Sequence, residues 1–118
     1  MNVGATAGVN PYEGSRMLSV SESPNNDNTP QAYIAFIENL SGGDQVTASF
    51  YGWDVTEGGN PSLRIWAAYA LNGDINDYQG STSEGSGYPS GIGWEKLEHT
   101  WTIESGKEAL VIQARLYS

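Results

Sequence analysis

Apolar and polar residues alternate along much of this chain, and this period of two limits the fold more than any other feature of the sequence. It is the pattern typical of a β-strand with one buried face. The strictest example is KLEHTWTI (96–103), with Leu97, His99, Trp101 and Ile103 on one face. Similar segments lie at 17–21, 31–40, 46–55 and 109–118, and no long segment has the 3.6-residue period of an amphipathic helix. The sequence therefore predicts an all-β protein, an antiparallel β-sandwich.

A tight chain reversal is predicted between two of these strands. The link NLSGGDQ joins QAYIAFIENL (31–40) to VTASFYGWDV (46–55), and its Asn, Gly and Asp residues tolerate positive φ. Such a link between alternating segments is typical of a β-hairpin. We therefore expect two antiparallel strands within residues 31–55.

The most apolar run, PSLRIWAAYAL (61–71), has an arginine and a tryptophan near its centre. Its apolar residues also fit a helical stripe, but so short a helix is marginal without packing, and its neighbours are predicted strands. As a strand it has two faces, and an arginine almost never lies unpaired in a core. The inner face is Leu63, Ile65, Ala67 and Tyr69, and the outer face is Arg64, Trp66, Ala68 and Ala70.

A long segment rich in Gly, Ser, Asn and Asp follows, from Asn72 to Gly93. Loops of this length inside a compact domain are usually functional or mobile. In this loop, Tyr78 and Tyr88 would either cap a ligand or pin the loop to the sheet.

Composition and charge limit the partners. The length of 118 residues predicts one domain, residues 1–118, and without cysteine it must be held by packing or by an oxygen-ligated ion. The net charge is −9 and the five basic residues are scattered, which argues against nucleic acid and an anionic membrane surface. No stretch approaches the roughly 18 apolar residues of a membrane span. The first residues lack the pattern of a secretory signal, so the signal of an exported parent would lie outside this chain.

Several segments together resemble the jelly-roll carbohydrate-binding modules of families 4 and 9 and their galactose-binding-like relatives. They are GSRMLSV (14–20), AYIAFIENLSGGDQVTASFYGWDV (32–55), GWEKLEHTWTI (93–103) and GKEALVIQARLYS (106–118). The resemblance covers residues 14–117 and implies jelly-roll topology. It further implies an extracellular, non-catalytic accessory module of a secreted bacterial multidomain protein, which binds a polysaccharide or other glycan and contacts neighbouring domains of its parent chain. Members commonly begin with an NGxFE-type strand, and none precedes Tyr12.

Sugar binding requires flat aromatic faces together with a few directional polar groups. The chain has four Trp and seven Tyr against two Phe, a bias toward aromatic residues with a polar handle. The strand faces place one candidate set on an open sheet face: Tyr51, Trp53, Arg64 and Trp66, with Gln113 and Arg115 nearby. Trp94 and Trp101 fit the strand-packing motif and are predicted to be core residues.

The same face has other interpretations. Arg64 and Trp66 would stack on each other as a cation–π pair, or the face would pack against a neighbouring catalytic domain such as a nuclease. The chain would then be a structural domain that binds no sugar. Self-association is a third interpretation, which the negative charge opposes, so we expect a monomer.

Catalysis is not expected. His99 is the single histidine, it shares a strand face with apolar residues, and no nucleophile-elbow motif accompanies it. Glu95 and Glu98 would point to opposite faces of one strand, so they do not form a glycosidase pair.

Calcium is the one cofactor that the sequence suggests. The loops PNNDN (24–28), DVTEGGN (54–60) and GDINDY (73–78) are rich in the oxygen ligands that calcium prefers, although none has a fixed motif spacing. Asp74 and Asp77 are the candidate ligand pair for a structural calcium ion. The alternative is that these residues form turns by bonding to their own backbone.

Overall fold

The computed structural model describes residues 2–4, 13, 17–19, 30–54, 62–82, 85–87 and 93–117, and its described elements are all strands. The strands are β1 (Asn2–Gly4), β2 (Met17–Ser19), β3 (Gln31–Ile37), β4 (Gln45–Asp54), β5 (Ser62–Ala70), β6 (Ser86–Gly87), β7 (Gly93–Thr102) and β8 (Ala109–Tyr117). In this part of the chain no helix is long and apolar enough to cross a membrane. The all-β prediction is confirmed.

The main strands form two antiparallel sheets that pack against each other. The four-stranded sheet, here called the front sheet, has the order β3-β8-β5-β6, and the back sheet is the pair β4-β7. The short strands β1 and β2 pair separately. The predicted β-sandwich is therefore confirmed, whereas the jelly-roll topology stays a prediction.

The predicted hairpin between residues 31 and 55 is wrong, although both of its strands form. β3 pairs with β8 and β4 pairs with β7, so the link between them crosses from one sheet to the other. Its backbone bonds to the β7–β8 connection: Leu40 N donates to Glu108 O and Gly43 N donates to Ile103 O, both at 2.8 Å. Asn39 and Gly43 adopt positive φ, as the link composition suggested, but in a crossing between sheets.

The hydrophobic core lies between the two sheets. Each of its large side chains contributes about 1.5–3 kcal/mol when fully buried. The buried members are Ile65, Ala67 and Tyr69 of β5, Leu97 and Trp101 of β7, Leu110 and Ile112 of β8, and Ile103. The strict alternation seen in residues 96–103 and 109–118 therefore marks the core face of β7 and β8.

The apolar run forms the strand β5, as predicted, and its inner face joins the core. On its outer face Arg64 is exposed and Trp66 is half-buried. Ala68 and Ala70 are 5% and 2% exposed, so the outer face is covered beyond Trp66 rather than open. Residues 79–82 lie beside β5 at this point, where Ala68 pairs with Ser81 in a β-bridge.

Candidate functional site

The outer face of the front sheet brings together side chains from three strands. β8 lies between β3 and β5, and residues directly opposite each other on antiparallel strands share a face. The register places Gln113 between Tyr33 and Trp66, and Arg115 between Gln31 and Arg64.

A depression of about 150 Å³ lies on this face. Its lining includes Gln31, Tyr33, Ala68, Tyr78, Gln113 and Arg115. Sites for drug-sized ligands typically measure about 300–1,000 Å³, so this depression fits a single ring or side group of a larger ligand.

Two tyrosines form the exposed aromatic part of the depression. Tyr33 is 48% exposed and Tyr78 is 64% exposed. The Tyr78 hydroxyl is 2.9 Å from Ser81 Oγ, within hydrogen-bond distance, which holds the end of the ring. A tyrosine offers an apolar ring face and a polar hydroxyl, a combination suited to a wet binding surface.

The polar part of the depression is a coupled pair, Gln113 and Arg115. Gln113 is only 3% exposed, and its Oε1 accepts a hydrogen bond of 2.7 Å from Arg115 Nε. The Arg115 guanidinium also lies over Trp66, with its carbon 5.8 Å from the ring centre. These contacts hold the guanidinium in one orientation before any ligand arrives.

Tyr78 is carried by a loop, residues 71–82, which is hydrogen-bonded along the edge of β5. Gln79 N donates to Tyr69 O at 2.8 Å, and Tyr69 N donates to Gly80 O at 2.7 Å. The loop therefore continues the front sheet beside β5.

Two side chains fix the same loop further. Thr82, 4% exposed, donates from Oγ1 to Ala67 O at 2.7 Å. From the β7–β8 connection, Lys107 Nζ donates to Gln79 O at 2.6 Å. Thr82 and Lys107 thus hold the loop to the rest of the molecule. The ring of Tyr78 stays exposed at the depression.

Trp66 lies between Arg115 and the backbone of Gly85. A Cβ at Gly85 would clash with Trp66 Cε3 and would lie 2.5 Å from Ile65 O, so only glycine fits against this ring. Trp66 Nε1 is buried, and no residue in the described part of the chain forms a hydrogen bond with it. Trp66 is therefore a half-buried support for Arg115 rather than the open platform that its position on the outer face suggested.

Tyr51 and Trp53 do not share a face with Arg64 and Trp66, which corrects the candidate set. They lie on β4, in the back sheet, and their parity is opposite to that of Phe50, which packs against the core. They therefore point away from the core on the other side of the sandwich. Strand parity gives the face of each strand but not the sheet to which the strand belongs.

Trp53 meets Trp94 on that outer face of the back sheet. The two residues are directly opposite each other in the β4–β7 pair, and their rings are 5.5 Å apart at an interplanar angle of 69°. Trp94 is half-buried here and outside the core cluster, contrary to prediction. Trp101, 2% exposed, is a core residue as predicted.

Tyr33 and Gln31 were missed from the sequence because β3 contains a bulge. The β3–β8 register shifts between Tyr33 and Ala35, so Tyr33 points outward while Ile37 packs against the core. Simple alternation gives these two residues the same face. The run of consecutive apolar residues YIAFI, which has no clear period of two, was the only signal of this irregularity.

Asp74 and Asp77, the candidate calcium ligands, both accept hydrogen bonds within their own loop. Asp74 Oδ1 accepts from Asn76 N at 3.0 Å, and Asp77 Oδ1 accepts from Gln79 Nε2 at 2.9 Å. Among the described residues, no group of three or more His, Cys, Asp or Glu side chains could hold a metal ion. The Asp74 bond, from a backbone N–H two residues on, supports the turn-forming alternative, whereas Asp77 bonds to the Gln79 side chain. Calcium binding stays a prediction. The loop 24–28, most of the loop 54–60, and Tyr88 lie outside the described residues.

His99 takes part in a hydrogen bond that the sequence did not suggest. Its Nδ1 is 2.9 Å from Ser86 Oγ, and its ring packs on Trp101 at 4.9 Å. Ser86 and His99 are half-buried, and the depression does not include them. The pair links β6 of the front sheet to β7 of the back sheet, which is a structural role.

In comparisons with protein-family models, with curated proteins and with solved structures, nothing matches this chain.

Proposed function

We propose that this chain is a non-catalytic carbohydrate-binding module and that its site is the depression on the front sheet. The observation that carries the proposal is the placement of two exposed tyrosines, Tyr33 and Tyr78, around the fixed pair Gln113 and Arg115. The resemblance described above supports the further proposal of an extracellular accessory module attached to a bacterial multidomain protein.

Each group has a role in this proposal. The ring faces of Tyr33 and Tyr78 contact the C–H side of a sugar ring, and Gln113 and Arg115 bond to its hydroxyl groups. Because Arg115 is already held by Gln113 and Trp66, little side-chain entropy is lost when a ligand binds. A depression of about 150 Å³ suits recognition of one sugar unit of a chain.

The test is affinity electrophoresis through gels that contain a panel of polysaccharides, with Tyr33→Ala and Tyr78→Ala. Both tyrosines are exposed, so we expect the variants to fold. We expect each variant to bind at least about tenfold more weakly, which corresponds to a loss of about 1.4 kcal/mol of binding free energy. Tyr51→Ala is the matched control, because Tyr51 is 42% exposed but lies on the back sheet. Absence of binding to every polysaccharide, or an equal loss in Tyr51→Ala, would contradict the proposal.

A second candidate function is contact with a neighbouring domain, and the outer face of the back sheet favours it. The Trp53 and Trp94 rings pack together there, and both side chains are half-buried rather than fully covered. Tryptophan is enriched at protein interfaces because its large ring buries much apolar surface. If a neighbouring domain of the parent protein covers this face, it shields Trp53 and Trp94 from the quencher acrylamide. Trp53→Phe and Trp94→Phe would then remove this shielded fraction of the fluorescence. Equal quenching of these residues in the parent and in the isolated chain would exclude such a contact.

A further inference from the structure

Two arginines lie side by side on the outer face of the front sheet, and one of them, Arg115, lines the depression. Arg64 of β5 and Arg115 of β8 are directly opposite each other in the register, so their Cβ atoms are about 4.5–5.5 Å apart. Two of the five basic residues of a chain with net charge −9 are thus placed next to each other. This pairing concentrates positive charge at a single point of the outer face.

The local packing favours guanidinium groups that can share one ligand. Arg115 lines the depression, and its Nε–H is bonded to Gln113, which fixes the plane of the group. Arg64 lies over Gly87, with Nε 3.7 Å from where a Cβ would be, so no side chain crowds it there. The Arg115 guanidinium is therefore held in place, and the Arg64 side chain extends over Gly87 beside it.

Guanidinium groups are the side chains best suited to planar or tetrahedral oxyanions. Their N–H donors form paired, charge-assisted hydrogen bonds to carboxylate or phosphate oxygens, and a sulfate ester offers the same arrangement of oxygens. A neutral sugar hydroxyl requires only one donor at a time. Two neighbouring arginines therefore provide more hydrogen-bond donors and more positive charge than a neutral sugar ring requires.

We propose that the saccharide bound in the depression carries an anionic group, a carboxylate or a sulfate ester, and that Arg64 and Arg115 bind this group. The inference rests on the proposed carbohydrate-binding function and names the class of its ligand. The sugar ring lies against Tyr33 and Tyr78, and its anionic group points along β5 and β8 toward the arginines.

The overall negative charge of the chain sharpens this inference. At 0.15 M ionic strength charges are screened over about 8 Å, so distant carboxylates repel an anionic ligand only weakly, whereas contact with the arginines persists. A preference for acidic polysaccharide at this ionic strength therefore reports the local pair and not the net charge.

The experiment compares polysaccharides that differ only in their anionic group. Polygalacturonate is paired with its carboxyl-reduced form and carrageenan with its desulfated form, so that the two pairs distinguish carboxylate from sulfate. We expect at least tenfold tighter binding of the acidic member of one pair. Arg64→Gln reduces that preference about tenfold while binding of the neutral member remains. Arg115→Gln also reduces the preference, but it weakens binding of the neutral member as well, because Arg115 bonds to sugar hydroxyl groups in the proposed function. Lys96→Gln is the control: it removes one positive charge from the back sheet, where Lys96 pairs with Glu98 at the exposed surface, and it leaves the preference unchanged.

The outcomes separate this inference from the proposed function. If neutral and acidic members bind equally and Tyr78→Ala still weakens binding, the module binds sugar and the anionic inference is wrong. An equal loss of preference in Lys96→Gln also overturns it, since the effect would then be one of net charge. Arg64 is exposed, so its variant stays informative even if Arg115→Gln fails to fold. If no polysaccharide binds at all, both proposals fail.

Discussion

At the scale of single residues, Gly85 determines where Trp66 can lie. The ring of Trp66 packs directly on the Gly85 backbone on one side and under the Arg115 guanidinium on the other. A larger residue at position 85 would push the tryptophan toward Arg115 and would disturb the bond between Arg115 and Gln113. The glycine that precedes the short strand β6 thus affects the proposed site through Trp66 and Arg115.

We therefore expect Gly85→Ala to destabilise the protein. The new Cβ would meet the Trp66 ring and the Ile65 carbonyl oxygen, and overpacking of this kind typically costs about 1–3 kcal/mol. The measurement is the midpoint of urea denaturation. Gly87→Ala is the matched control, because its Cβ would lie at ordinary contact distances of 3.7 and 3.8 Å from Arg64 atoms. If the two variants are equally stable, Gly85 does not constrain Trp66.

At the scale of elements, the loop 71–82 is fixed to the rest of the molecule at both ends. Near its start, Asn72 Oδ1 accepts from Asn39 N at 2.8 Å, and Gly73 N donates to Glu38 Oε1. Near its end it is bonded to β5 and to Lys107. A polar loop of this length is therefore ordered by bonds to three other segments.

Calcium binding by Asp74 and Asp77 is tested within this loop. If these carboxylates bind calcium, millimolar calcium raises the melting temperature, because a ligand that binds only the folded state stabilises it. Sodium chloride at matched ionic strength controls for screening, and Asp74→Asn with Asp77→Asn should abolish the shift. An unchanged melting temperature in calcium would mean that the two residues serve the turn alone.

The elements also show why the sequence predicted some features and not others. The faces of β5, β7 and β8 follow from alternation, because each strand is regular and has one face in the core. The pairing of β3 and β4 does not follow, because the link residues allow a tight turn whether it closes a hairpin or crosses between sheets. The bulge before Ala35 hid Tyr33 from the sequence pattern, and the position of β4 in the back sheet removed Tyr51 and Trp53 from the candidate set. The structure brings together the other four candidates, Arg64, Trp66, Gln113 and Arg115.

At the scale of the whole molecule, the sandwich presents two outer faces of different character. The front sheet offers Arg64 and Arg115 beside two exposed tyrosines, and the back sheet offers Trp53 and Trp94 packed on each other. The sheets point these faces in opposite directions, so a ligand on one face leaves the other accessible. A binding module joined to another domain requires this separation.

The central position of β8 in the front sheet also has a consequence during synthesis. Ribosomes release the segments β3, β5 and β6 before β8, yet among the described strands β3 and β5 do not pair with each other and β8 lies between them. Until β8 emerges, the edges of β3 and β5 are open to pairing with other chains, which is the common route to strand aggregation. The acidic residues of the nascent chain oppose this aggregation, because chains of like net charge repel each other before β8 has been synthesised.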